Sequence, residues 1–190
     1  MTNEILLESG EIQMLNLDIN KDFDILRQVM GYCPQSNAIF EFLTVEETFR
    51  YYSKIKFNSY LNYKTLLYDF GLGQFKNTIA RNLSGGNKRK LNFAISLMNK
   101  PNIILLDEPS TGVDPESRRI MWKHINDIPK HVKNFNMVLS THSLEEAEIL
   151  CDTVGWMKNG NFICIGNPDK LKFQFSEVIV QSKFRDMLFK

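Results

Sequence analysis

The feature that most constrains this chain is Ile103-Ile104-Leu105-Leu106-Asp107-Glu108-Pro109, in which four large aliphatic residues run straight into two carboxylates and a proline. A continuous β-branched and leucine run is the pattern of a strand covered on both faces of a parallel sheet. In such sheets ligands bind beyond the carboxyl ends of the strands. The sequence therefore predicts Asp107 and Glu108 at a binding edge. An aspartate there is placed to hold Mg²⁺, directly or through water, and the glutamate beside it to polarise a water for attack on a phosphate. The same pair would also serve as the solvated end of a strand, and these two residues alone do not separate the two uses.

The pattern around this run is that of an α/β chain. Val29 to Tyr32 reads as a short buried strand ending in the turn Cys33-Pro34-Gln35, and Met137-Val138-Leu139-Ser140 as another buried strand. Thr44-Val45-Glu46-Glu47 is a capping box, a hydroxyl followed three residues later by a carboxylate. The helix it opens carries Phe49, Tyr52 and Ile55 at helical spacing. A second helix is predicted from about Tyr63 to Phe70, stopped by Gly71-Leu72-Gly73. Asp114-Pro115 reads as an N-cap with proline at the first helical position, followed by a helix through Ile120, Trp122 and Ile125. Ser143 caps the next one. Lys158-Asn159-Gly160-Asn161 is a hairpin turn between Val154–Met157 and Phe162–Ile165, since Asn-Gly supplies the left-handed backbone such turns need. Strands alternating with helices imply a mainly parallel sheet, with Thr44–Asn82 as an all-helical insert.

Three further segments carry chemistry. Leu83-Ser84-Gly85-Gly86-Asn87-Lys88-Arg89-Lys90 places two glycines at a helix start, where backbone N–H groups and the helix dipole favour an anion. Ser84 adds a hydroxyl donor, and Arg89 with its lysine neighbours raises the local potential; a glycine turn before a basic surface helix would read the same. His142, after a strand, is predicted at the same sheet edge, able to hydrogen-bond a terminal phosphate. Gln35 offers an uncharged contact to a water or metal. His124 and His131 read as surface residues. Cys33, Cys151 and Cys164 are scattered without a CxxC pair, which argues against a disulfide framework or zinc site and for a reducing compartment. Lys plus Arg (23) balance Asp plus Glu (22), for a net charge of +1. Such a balance gives no bulk electrostatic reason to expect nucleic acid as a partner.

In their order and separation, GYCPQ, LSGG, IILLDEPSTGVDP and STHS resemble the nucleotide-binding domain of ABC transporters over nearly all 190 residues. GYCPQSNAIFEFLTVEET, LSGGNKRKLNFAISL, LDEPSTGVDPESRR, STHSLEEAEILCD and NGNFICIGNPDKLK are similar to subfamily A, whose usual cargo is lipid. The resemblance implies a P-loop NTPase-like, mainly parallel sheet in one partial domain over 1–190. It further implies a helical subdomain at about 44–82 and a C-terminal hairpin and tail at about 153–190. It implies ATP and Mg²⁺ as ligands, with Asp107 organising Mg²⁺ and Glu108 as general base. Gln35 would sense Mg²⁺ and the attacking water, and His142 would hold the γ-phosphate. Ser84, Gly85 and Gly86 would contact a nucleotide held by a second such domain in a head-to-tail sandwich, and Asp114 would cross that interface.

One family element is not in these 190 residues: no GxxxxGK(S/T) phosphate-binding loop occurs. Ser9-Gly10-Glu11-Ile12 resembles the segment that follows the P-loop helix, so the first nine residues are expected to be the tail of that helix and the domain to be N-terminally truncated. The expectation is an ATPase domain that couples hydrolysis to transport, with this chain alone inactive. Transmembrane domains outside it would hold it at the cytosolic face of a membrane. The alternatives are a non-hydrolysing subunit that offers only LSGG in trans, and a soluble ABC-class ATPase.

Overall fold

The computed structural model describes residues 9–57, 63–98 and 100–173. The expected P-loop helix tail before Ser9 and the tail beyond Phe173 lie outside them. The chain's contacts group into two compact units, Met1–Ser140 and Thr141–Lys190.

In the first unit, β1 (Gln13–Met14) and β2 (Leu17–Asp18) form a small hairpin, followed by α1 (Phe23–Val29) and β3 (Met30–Cys33). The helices α2 (Val45–Phe57), α3 (Lys64–Asp69) and α4 (Gly85–Ser96) follow, then β4 (Ile103–Asp107), α5 (Pro115–Asp127) and β5 (Asn136–Ser140). The main sheet has the order β3-β4-β5, all parallel, with Met30 beside Ile103, Leu106 beside Leu139 and Asp107 beside Ser140. Parallel pairing puts the carboxyl ends of all three strands at one edge.

Both faces of β4 are covered, which is why its sequence has no polar alternation. On one face Met30, Ile103 and Leu105 pack with Ile19 of the loop after β2 and Leu26 of α1. On the other, β3 lies directly against α4. A Cβ on Gly31 would come 2.1 Å from the Ser96 carbonyl oxygen, so only glycine permits that approach.

β5 departs from expectation. It alternates between exposed and half-buried residues, with Val138 47% exposed, because among the described residues β4 is the only strand it pairs with. An apolar run shows affinity for a sheet, not position within it.

The helical insert is held by local signals. Thr44 and Glu47 make the capping box in both directions, at 2.8 and 3.2 Å. Gly71 ends α3 with φ of +65°, and the Gly71 and Leu72 amides donate back to Tyr68 and Leu67, the Schellman arrangement. Amides of Val45 and Ala80 close the base of the insert onto Thr78 and Leu43 carbonyls. α2 buries Val45, Thr48, Phe49 and Ser53, whereas Ile55 faces outward at 64% exposure. The buried stripe thus includes two hydroxyls and leaves out Ile55, although it shares helical spacing with the buried Phe49.

The second unit contains α6 (Leu144–Leu150) and the antiparallel strands β6 (Val154–Lys158) and β7 (Asn161–Gly166). Ser143 caps α6 by accepting from the Glu146 amide at 3.3 Å. Asn159 and Gly160, at φ of 51° and 78°, make the predicted turn.

Gly31→Ala should destabilise the first unit by about 1–3 kcal/mol, the usual cost of forcing one carbon into a packed contact. Urea denaturation of the two proteins measures this, and an unchanged midpoint would show that β3 and α4 can separate freely.

Candidate functional site

The site is built on three turns at the carboxyl edge of the sheet. β3 ends at Cys33 and delivers Gln35 two residues later, exposed to solvent. β4 ends at Asp107, and both Asp107 and Glu108 are half-buried. β5 ends at Ser140, whose hydroxyl donates to Asp107 Oδ1. That bond orients the aspartate, and it comes from Ser140, which the sequence predicts only as the end of a strand. Glu108 turns the chain with φ of +46°, a left-handed conformation unusual for a residue with a side chain. Its amide donates to the Ser140 carbonyl at 2.9 Å, and its Oε2 accepts from the Thr111 hydroxyl at 2.9 Å.

Arg89 connects these turns. Sequence reading takes it as a contributor of surface potential, but the side chain is 4% exposed. Its Nε donates to Pro109 O, Nη1 to Pro34 O and Gln35 O, and Nη2 to Asp107 O and Glu108 O, all between 2.5 and 3.0 Å. A guanidinium has five N–H donors in a fixed fork, and each has a carbonyl here. Pro34, Gln35, Glu108 and Pro109 lie past the last rungs of the ladders that β4 forms with β3 and β5, where the sheet no longer supplies donors. A buried acceptor left without a donor costs about 1–3 kcal/mol; Arg89 serves all five carbonyls, sharing Glu108 O with the Thr111 amide and Pro34 O with Asn92. The signal was present in the sequence as helical spacing: Arg89, Asn92, Phe93 and Ser96 all lie on the buried face of α4. Asn92 extends the same link, donating to the Pro34 and Ser36 carbonyls at 3.4 Å.

At the start of α4, Ser84 accepts from the Asn87 amide at 3.2 Å as the N-cap. This engages a lone pair and leaves its O–H able to donate outward, while Ser84 and Gly85 remain exposed. Gly86 faces the loop after β4, where a Cβ would come 3.3 Å from the Gly112 carbonyl. The glycine turn and the Ser110–Asp114 loop therefore touch within one chain. Asp114 is exposed and caps α5 by accepting from the Ser117 amide at 2.9 Å, and that bond holds its carboxyl below the usual range.

His142 lies two residues past Ser140, in the second unit, and is exposed. His124 is half-buried rather than superficial: its ring lies 4.7 Å from Phe70, with Nε2 3.8 Å from the Asp69 carboxylate. Among the described residues no group of three or more His, Cys, Asp or Glu could hold a metal ion. The available donors are oxygens, a carboxylate at Asp107 and an amide at Gln35. That set suits Mg²⁺, which is commonly held by one or two carboxylates together with substrate phosphates.

The family described as "ABC transporter" matches residues 1–111. "ABC transporter A family member 12" of Arabidopsis thaliana is 40% identical over 189 residues, covering 92% of this chain and 19% of its own length. The chain thus spans about a fifth of the length of that curated relative. A solved structure described as "Structure of ATP binding subunit of ABC transporter" superimposes with a TM-score of 0.77 at 26% identity, over 89% of this chain and 71% of that one. CbiO1 from Clostridium perfringens, described as "Part of the ABC transporter complex cbiONQ", gives a TM-score of 0.72 at 26% identity, over 97% of this chain and 76% of that one.

Cys33 reports on the dryness of this edge. It is fully buried, and burial pushes its thiol up to about 11; the Arg89 charge opposes that shift and the Asp107 charge adds to it. A raised pKa favours the neutral thiol in the folded state. The stability it provides is complete below the ordinary thiol value near 9 and is lost as pH rises through about 11. Wild type should therefore lose up to about 3 kcal/mol more stability than Cys33→Ala over that window, at about 1.4 kcal/mol per pH unit. Urea denaturation at pH 8 and pH 11 measures the difference, and parallel losses in the two proteins would place Cys33 in contact with water.

Proposed function

Because the chain belongs to the ABC transporter family, we propose that it forms the ATP-binding and ATP-hydrolysing domain of a subfamily A transporter, driving transport of lipid. The observation that carries this reading is the junction of Gln35, Asp107 and Glu108 at one sheet edge with the exposed Ser84–Gly86 turn on the helix that braces it. The subfamily assignment is supported by the Arabidopsis relative, an A family member; the lipid cargo rests on the resemblance to subfamily A alone. Among the described residues no helix is long and apolar enough to cross a membrane. We place the chain at the cytosolic face of a membrane, joined to transmembrane domains outside it, on the strength of the family resemblance; the Clostridium neighbour is likewise part of a larger ABC transporter complex.

The roles follow from chemistry and position. Bound Mg²⁺ would draw charge from the phosphate oxygens. Asp107, already oriented by Ser140, and Gln35 are the side chains that would hold it. Glu108 would orient the attacking water and accept its proton; its carboxylate is kept in place by Thr111. Phosphoryl transfer is mainly positioning and charge stabilisation, so a fixed carboxylate is what the step requires. Ser84 would donate its free O–H, and Gly85 and Gly86 their amides, to the terminal phosphate of a nucleotide on a second domain. Asp114 would meet that domain from the adjoining loop. His142 would hold the terminal phosphate of this domain's own nucleotide.

The phosphates still need the amides and lysine of a GxxxxGK(S/T) loop. The 190 residues alone should therefore bind Mg-ATP weakly, and micromolar affinity by calorimetry would overturn that expectation. With a segment supplying the loop and a partner domain present, Glu108→Gln should lower steady-state turnover by ~10²–10⁴-fold, the range of general-base catalysis, and leave nucleotide binding intact. Asp107→Asn should weaken both, and Ser84→Arg should block closure while sparing binding. Wild-type turnover in Glu108→Gln would remove Glu108 as the base. It would favour instead a chain that offers only Ser84–Gly86 in trans.

A further inference from the structure

We propose that Arg89 is a positioning residue for this site, setting the separation of the Gln35 and Asp107–Glu108 turns and holding Glu108 in its left-handed backbone conformation. The functional half of this proposal rests on Glu108 serving as the base; the structural half does not.

Three observations converge on it. Arg89 is nearly inaccessible, and its Nε, Nη1 and Nη2 make five hydrogen bonds to backbone carbonyls of the two turns. A cation used only for charge balance would sit against Asp107 or Glu108 side chains; here the guanidinium reads backbone geometry. Glu108 occupies a strained region of backbone space at φ of +46°, and such conformations persist only where the surroundings over-determine them. Its amide is held by Ser140 O and its carbonyl by both Arg89 and the Thr111 amide. Finally, Arg89 sits on the first turns of α4, the helix whose start is the Ser84–Gly86 turn. A shift of that turn is thereby transmitted to the backbone on either side of the edge. Lysine cannot substitute, since an ammonium is a point donor with three protons where the site presents five acceptors.

Two variants test this. Arg89→Lys keeps the charge and loses the fork; Arg89→Met loses both, and should it fail to fold, Arg89→Lys carries the measurement. On the 190-residue chain, hydrogen exchange of the Glu108 and Thr111 amides should accelerate at least tenfold in Arg89→Lys, with amides in the middle of α2 changing less than twofold. Acceleration of equal size in α2, or none at Glu108, would make Arg89 an ordinary core residue and overturn the proposal.

The second arm is a double-mutant cycle in the completed ATPase. Arg89→Lys alone should reduce turnover at least tenfold with nucleotide affinity within twofold of wild type. In a Glu108→Gln background it should reduce turnover by no more than twofold further, because residues acting as one unit are not additive. Additive losses would overturn the proposal. If Glu108→Gln itself keeps wild-type turnover, the reading of Glu108 as base fails, and the exchange experiment alone decides the placement of Arg89.

Discussion

The guanidinium of Arg89 sits where three chain segments meet, and the described site depends on it more than on any other single contact. Burying a cation is expensive unless its donors are matched, and here five carbonyls match five N–H groups. The match works in both directions. Strands β3 and β4 run out of ladder partners at their carboxyl ends, and the carbonyls left there obtain donors from α4. The polar groups presented at that edge, Gln35 and the Asp107–Glu108 pair, are thus carried on backbone fixed from behind.

α4 can supply this brace because of how it is seated. Gly31 lets β3 approach it to backbone contact, and Phe93 on its buried face meets Phe70 at the end of α3 edge to face, with centroids 5.5 Å apart. The helix therefore belongs to the packing of both the sheet and the helical insert. Its N-terminus stays exposed, with Ser84 capping it and Gly86 set against Gly112. One helix thus joins a solvent-facing glycine turn to the carboxyl edge of the sheet.

Much of the fold was legible because its signals are short-ranged. The caps at Thr44, Asp114 and Ser143, the glycine stop at Gly71 and the Asn159-Gly160 turn each depend on groups within a few residues of one another, so neighbours in sequence suffice to define them. The β1–β2 hairpin escaped for the same reason. Its turn residues are Leu15 and Asn16, at φ of 52° and 62°, and a leucine carries no signal for a left-handed turn. Within the site, Asp107 and Glu108 were legible from the apolar run before them, and Gln35 from the turn after its strand. The Ser140–Asp107 bond was not, since nothing local specifies which strand pairs with β4.

The sequence by itself determined that the chain is α/β, where most helices begin and end, and which polar side chains stand at strand ends, because periodicity and capping are properties of contiguous residues. Tertiary structure alone decided that β5, among the described residues, pairs with β4 on one side, that Ile55 faces outward while Thr48 and Ser53 are buried, and that Arg89 is an internal brace. Each of these depends on partners distant along the chain. Arg89 and Pro34 are fifty-five positions apart; helical spacing with Asn92, Phe93 and Ser96 puts Arg89 on the buried face of α4, but no local pattern indicates which distant carbonyls it will meet there.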